Sequence, residues 1–192
     1  MTQVYIADCT SYQSEQVVAR VLPMLDTHRQ EKIHSLQTIQ KKAQSAVAGL
    51  LLTYVFGQDA TYQYTDKGKP YLTDNRAYFS LSHSDTWVAL AVSDAEIGFD
   101  LQAISSVRPA VLRRCFTPEE QAWVEDDAVR FTQLWAQKEA YGKYTGHGLT
   151  TPFSSIFPDN SIPHCEGQWK MTCYALYGDD QVNITQIKDL LK

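Results

Sequence analysis

Ile97-Gly98-Phe99-Asp100-Leu101-Gln102 alternates apolar and non-apolar residues with a period of two. That period is a strand's. It sets Ile97, Phe99 and Leu101 on one face and Gly98, Asp100 and Gln102 on the other. Two similar stretches precede it, AYFSLS at 77–82 and WVALAV at 87–92, bounded by turn residues. Ser93-Asp94-Ala95-Glu96 reads as a hairpin joining the second strand to the third. Upstream, TYQYTDKGKPYL at 61–72 reads as a strand, a turn at Lys67-Gly68-Lys69-Pro70 and another extended piece.

Further out the period changes. In 38–56 Ala43, Ala46, Val47, Leu50, Leu51, Tyr54 and Val55 recur at three- and four-residue intervals. They make a helical apolar stripe that Gly57 is suited to end. VYIAD at 4–8 has strand character, and 14–25 reads as a helix ending near Pro23. After Ile104 the segment SSVRP reads as a linker. Short helices follow near 109–115 and 118–124, then a long helix over about 127–145. From Leu149 onward the chain reads as extended pieces, clearest in WKMTCYALY at 169–177, closed by a short amphipathic tail. Helix then strands, twice over, predicts an α+β protein of two similar halves, 1–104 and 105–192.

The 192 residues allow one sizeable domain or two small ones sharing a core. No apolar run approaches the roughly 20 residues that span a bilayer. MTQVYIADCT has no basic region followed by a long apolar stretch, so a cytoplasmic protein is expected, with no membrane partner. Cys9, Cys115, Cys165 and Cys173 have no zinc spacing and read as free thiols. A net charge of −5 argues against nucleic acid as the main partner.

Several residue types invite chemistry, each with a plain structural reading beside it. Asp100 and Gln102, at i and i+2, suit a hard cation or simply a solvated strand face. On the long helix Trp135, Glu139 and Lys143 stack at i, i+4 and i+8. Glu139 and Lys143 are a metal carboxylate beside a phosphate-binding ammonium, or an ordinary helix ion pair, and periodicity leaves both open. Ser82-His83 and the Lys67–Pro70 turn can present donors to phosphate oxygens, or serve as structural turns. Thr117-Pro118-Glu119-Glu120 is a helix start with Glu120 in the capping-box position.

The set and order of these motifs is similar to the Sfp-type 4′-phosphopantetheinyl transferases, in the subgroup with a W…KEA helix. The likeness runs through Lys67-Gly68-Lys69-Pro70, Phe79-Ser80-Leu81-Ser82-His83-Ser84, Ile97–Gln102, Phe116-Thr117-Pro118-Glu119-Glu120, Trp135-Ala136-Gln137-Lys138-Glu139-Ala140-Tyr141-Gly142-Lys143 and Gly146-His147-Gly148-Leu149. It covers about 67–149.

The resemblance implies a monomeric pseudo-dimer, each half a small antiparallel sheet on a long helix, with the active site in the cleft between them. It implies transfer of 4′-phosphopantetheine from coenzyme A to a serine of an acyl- or peptidyl-carrier protein, leaving 3′,5′-ADP. The cofactor is Mg²⁺, or Mn²⁺ in its place. Asp100 and Glu139 match the metal carboxylates, and Glu120 matches an acid near the metal. Gln102 stands where the family usually has an acid. Lys143 matches a lysine near the pyrophosphate. Ser82, His83 and Lys69 match coenzyme contacts, and Arg29, Lys32 and Ser45 align with contacts to its 3′-phosphate. Arg108, Arg113 and Arg114 are expected to face the carrier. A coenzyme A-binding relative without catalysis, another Mg²⁺-dependent phosphotransferase and a protein-interaction module are the competing readings. No Walker-type loop or G-x-G-x-x-G supports the second of these.

Overall fold

A computed structural model describes residues 1–146 and 158–191. The His147-Gly148-Leu149 part of the motif series lies outside the described residues, as does the start of the extended region beyond it.

The chain opens with β1 (Thr2–Asp8), followed by α1 (Glu15–Val21), α2 (Thr27–Ser35) and α3 (Ile39–Phe56). Next come the hairpin β2 (Tyr62–Tyr64) and β3 (Pro70–Leu72), then β4 (Tyr78–Ser84), β5 (Trp87–Ser93) and β6 (Gly98–Ala103). Helices α4 (Pro109–Cys115), α5 (Pro118–Val124) and α6 (Ala128–Tyr144) precede β7 (His164–Trp169), β8 (Thr172–Tyr177) and β9 (Val182–Ile187). Local chemistry sets the helix ends. Thr38 caps α3 by accepting from Lys41 N, and Gly57 leaves it at φ 86°. Thr117 and Glu120 close the expected capping box on α5, and Asp127 caps α6.

The strands form a sheet ordered β4-β5-β1-β9, a sheet ordered β6-β8-β7 and the separate β2-β3 hairpin. Strands β1, β5 and β9 of the first sheet split their side chains between two cores. Val88 and Leu90 pack with Ala43, Ala46, Val47, Leu50 and Leu51 of α3. Val4, Ile6, Ala89 and Ala91 point the other way, onto Phe99, Leu101 and Leu176 of the second sheet. That sheet's far face carries α6 through Ala136, Ala140, Ala175 and Tyr177. The order is therefore helix, sheet, sheet, helix, and the period of two in each strand produces it.

Three features differ from the sequence reading. Residues 93–96 do not make a hairpin pairing β5 with β6. β6 crosses to the other sheet and pairs with β8, Asp100 opposite Ala175, because Phe99 and Leu101 must cover the exposed face of β1 and β5. The first sheet is not wholly antiparallel. β9 arrives from the end of the chain and lies parallel to β1, while Ile187, Leu190 and Leu191 close the α3 core. Helix α2 carries no broad apolar stripe. It forms on its Asp26 cap and buries Ile33 and Arg29.

Between the sheets, β4 and β6 run as facing edges joined by side chains. Ser80 Oγ accepts from Phe99 N at 3.0 Å. Ser82 Oγ accepts from Leu101 N at 3.1 Å, and Ser84 Oγ from Ala103 N at 2.9 Å. Alternate residues of one strand thus hydrogen-bond alternate amides of the next.

Gly98 sets how close α6 comes to β6. A Cβ there would lie 2.1 Å from Ala140 O and 2.3 Å from Tyr144 N, both backbone atoms. Gly98→Ala is expected to push the helix away and destabilise the protein by about 3 kcal/mol, read from urea unfolding midpoints. A loss under about 0.5 kcal/mol would show that the helix is free to shift.

Candidate active site

Asp100 stands on the α6 side of β6 and is only 1% exposed. Its carboxylate is fully engaged. Oδ1 accepts from Ser82 Oγ at 2.7 Å and from Lys143 Nζ at 2.6 Å. Oδ2 accepts from Gln102 Nε2 at 2.7 Å. Lys143 also donates to Phe99 O at 3.1 Å. The ambiguity over Lys143 is resolved by this geometry. Its ion pair crosses to the strand rather than running back to Glu139 along the helix.

Glu139 lies one turn before Lys143 on α6 and is half-buried. Burial, and then the negative charge of Asp100, push its carboxyl up to about 7, against a smaller opposing pull from Lys143. Two carboxylates in a poorly solvated space, with oxygen-bearing Gln102 and Ser82 alongside, are a donor set that suits a hard divalent cation. Among the described residues no three His, Cys, Asp or Glu side chains converge. Two acids and an amide are what the described residues offer there. Gln102 keeps its Oε1 toward Ser84 Oγ at 3.3 Å while its amide donates to Asp100.

Glu120 is held differently. Oε2 accepts from Thr117 N at 2.8 Å in the capping box. Oε1 pairs at 2.8 Å with Lys138, whose side chain is completely buried beside the Phe116 ring. Nothing in the sequence marked Lys138 as the partner of Glu120.

A cavity of about 840 Å³ opens from this cluster toward α2. Ser82, His83 and Lys143 form one end, Arg29, Lys32, Lys41 and Ser45 the other, and residues 64–70 of the β2–β3 hairpin a wall. All seven residues read as coenzyme contacts line it. Among the described lining residues Asp66 is the one acid beside six lysines and arginines, so the cavity is cationic inside a protein of net charge −5. Arg29 is 4% exposed. Its Nε and the buried Ser45 Oγ find no hydrogen-bond partner among the described residues, which is costly unless a ligand supplies one. His83 shows its ring to the cavity. The surrounding protein, then Lys143 and Lys32, hold its pKa below the usual range. Lys32 is lowered by burial and by Arg29.

Lys69 lines the same wall, yet all three of its N–H donors are used. They reach Glu96 Oε1 at 2.5 Å, Ile97 O at 3.3 Å and Lys143 O at 2.9 Å. It ties the hairpin to the start of β6 and the last turn of α6. Sequence reasoning missed His28 and Tyr64, whose ring centroids lie 3.8 Å apart in the cavity lining.

Comparison with known proteins agrees with the motif series. Residues 96–182 match the family model described as the 4′-phosphopantetheinyl transferase superfamily. The chain is 30% identical over 109 residues to 4′-phosphopantetheinyl transferase gsp of Aneurinibacillus migulanus, covering 54% of this chain and 46% of that protein. It is 38% identical over 95 residues to 4′-phosphopantetheinyl transferase psf-1 of Bacillus pumilus, covering 46% and 41%. To 4′-phosphopantetheinyl transferase Sfp of Bacillus subtilis it is 25% identical over 154 residues, covering 67% and 69%. In the first two, the match spans less than half of the relative's own length.

The raised pKa of Glu139 has a sign that can be tested without any ligand. Its folded value of about 7 exceeds the ordinary 4.5, so between those values the folded state holds more proton than the unfolded chain. Stability falls as pH rises through that window. In metal-free buffer at pH 8, Glu139→Gln is expected to be more stable than the unsubstituted protein by about 1–3 kcal/mol. The gap should close toward pH 4.5. Equal melting temperatures at pH 8 would show that Glu139 is not under electrostatic strain.

Proposed function

We propose that this chain, whose residues 96–182 match the 4′-phosphopantetheinyl transferase superfamily, moves 4′-phosphopantetheine from coenzyme A to a serine hydroxyl of an acyl- or peptidyl-carrier protein and releases 3′,5′-ADP. One observation carries the reading. A cationic cavity runs from Arg29 and Ser45, whose Nε and Oγ have no partner among the described residues, to Lys143, the ion-pair partner of Asp100. That layout suits a long polyanion with a phosphate at one end and a pyrophosphate near the acids. The two α+β units, each a sheet backed by a long helix, then act as a pseudo-dimer around a shared active site, with the carrier meeting its open side.

Each residue has a defined task. Arg29, Lys32 and Ser45 hold the 3′-phosphate, where a buried guanidinium gives a charge-assisted contact. His83 and Lys143 bind pyrophosphate oxygens, and Lys143 offsets charge on the departing 3′,5′-ADP. Asp100 and Glu139, with Gln102 beside them, would hold Mg²⁺, which would add neutralisation of the pyrophosphate. Glu120, fixed by Lys138, keeps α5 against the helix carrying Glu139. Glu139 accepts the proton as the carrier serine oxygen bonds to the β-phosphorus and the bond to 3′,5′-ADP breaks. Exposed Arg108, Arg113 and Arg114 on and beside α4 offer a local basic surface to an acidic carrier, which the net charge of the chain does not.

Intact-mass spectrometry of an apo carrier incubated with coenzyme A, Mg²⁺ and the protein should show one added phosphopantetheine. No shift across several acyl and peptidyl carriers would leave a coenzyme-binding protein only. Calorimetry separates the anion end. Arg29→Met should weaken coenzyme A binding by about tenfold or more and leave 3′-dephospho-coenzyme A within about twofold. Equal loss for both ligands would remove Arg29 from the 3′-phosphate. Gln102→Glu should lower the half-saturating Mg²⁺ concentration, since a third carboxylate strengthens an oxygen site. An unchanged requirement would take residue 102 away from the ion.

A further inference from the structure

The serines of β4 do more than join two sheets. Ser80, Ser82 and Ser84 sit at alternate positions, and their hydroxyls take the amides of Phe99, Leu101 and Ala103, the odd residues of β6. The even residues of β6 carry the chemistry, and two of the same hydroxyls reach them. Ser82 donates to Asp100 Oδ1 at 2.7 Å and Ser84 to Gln102 Oε1 at 3.3 Å. Ser80 donates back to Phe99 O at 3.3 Å, the carbonyl that also accepts from Lys143. β4 bears His83 on its cavity side, and Ser80 and Ser82 line the cavity as well.

A backbone ladder fixes register by repeating one identical bond, so a slip of two residues preserves its pattern. A serine ladder is different, because only three positions of β4 carry the hydroxyls. We propose that Ser80 and Ser84 are positioning residues that lock the coenzyme-facing strand β4 to the acid-bearing strand β6, and so set His83 and Asp100 at the spacing that phosphoryl transfer needs. The proposal rests on the transferase reading. It assigns these two serines no contact with substrate. Ser84 also turns the Gln102 side chain, leaving the amide to donate to Asp100 and the carbonyl to point along β4. Without the hydroxyls β6 keeps its pairing with β8, so the second sheet survives while its offset from the first is released. Binding at the far end of the cavity, on α2 and α3, does not depend on that offset.

Threonine and valine have the same shape and differ by one hydroxyl, so the test compares Ser84→Thr with Ser84→Val and Ser80→Thr with Ser80→Val. Each pair is measured for carrier modification, coenzyme A affinity by calorimetry, and amide hydrogen exchange at Phe99 and Ala103. The valine member of each pair should lose about tenfold or more in kcat, keep the coenzyme A Kd within about twofold of its threonine partner, and exchange its β6 amide about tenfold faster. Threonine should restore turnover. Equal kcat within both pairs, or coenzyme affinity lost in step with turnover, overturns the proposal. If the larger side chain prevents folding at buried position 80, the half-buried position 84 decides. If the unsubstituted protein modifies no carrier, the transferase reading fails, and equal exchange within the position-84 pair then overturns the lock itself.

Discussion

The hydroxyl–amide contact between β4 and β6 is the constraint on which the arrangement depends. Two sheets packed face to face through Val4, Ile6, Phe99 and Leu101 gain burial energy that is non-directional. Such packing tolerates sliding. Three hydroxyls on one edge and three amides on the other do not. They satisfy buried backbone donors that are costly to leave unpaired, and they place the only acid of β6 against a lysine from α6. Gly98 completes the placement by letting the backbone of α6 approach the strand.

Around that contact the charges are arranged by distance from solvent. Asp100 is buried and compensated by three donors. Glu139, nearby and without such compensation, has a carboxyl that resists ionisation. Farther along the cavity Arg29 is buried with a donor unused. The acidic end thus holds a carboxyl that resists ionisation, and the basic end holds more positive than negative charge. A ligand with a divalent cation near one end and a phosphate at the other relieves both. Lys138 and Glu120 are the opposite case, a buried pair that neutralises itself. Such a pair gives little net stability but resists loss of either partner.

Much of the architecture was legible because period and caps are local. Alternation in 97–102 set which residues face α6. The stripe in 43–55 gave α3, and Thr117 with Glu120 gave the start of α5. What failed was pairing. Residues 93–96 look like a hairpin turn, yet β6 belongs to the other sheet, since strand partners are chosen by which apolar face needs covering. Helix α2 was hard to see because its inner face includes an arginine, and burial of Arg29 contradicts the ordinary rule for charged residues. The residues read as coenzyme contacts still lie near one another. Seven separate positions, from Arg29 to Lys143, line one cavity.

The sequence by itself determined most of the elements, the two faces of the strand at 97–102, and the likeness to a transferase family, because each is written in residue spacing. Asp100 was already singled out on its strand. Tertiary structure alone decided that Lys143 pairs with Asp100 and not with Glu139, that Lys138 takes Glu120, and that Lys69 is a tie between hairpin and helix. Those choices depend on how far α6 stands from β6 and on what else competes for each charge. Distances between segments remote in sequence are set by packing, and packing is not encoded in any single stretch of the chain.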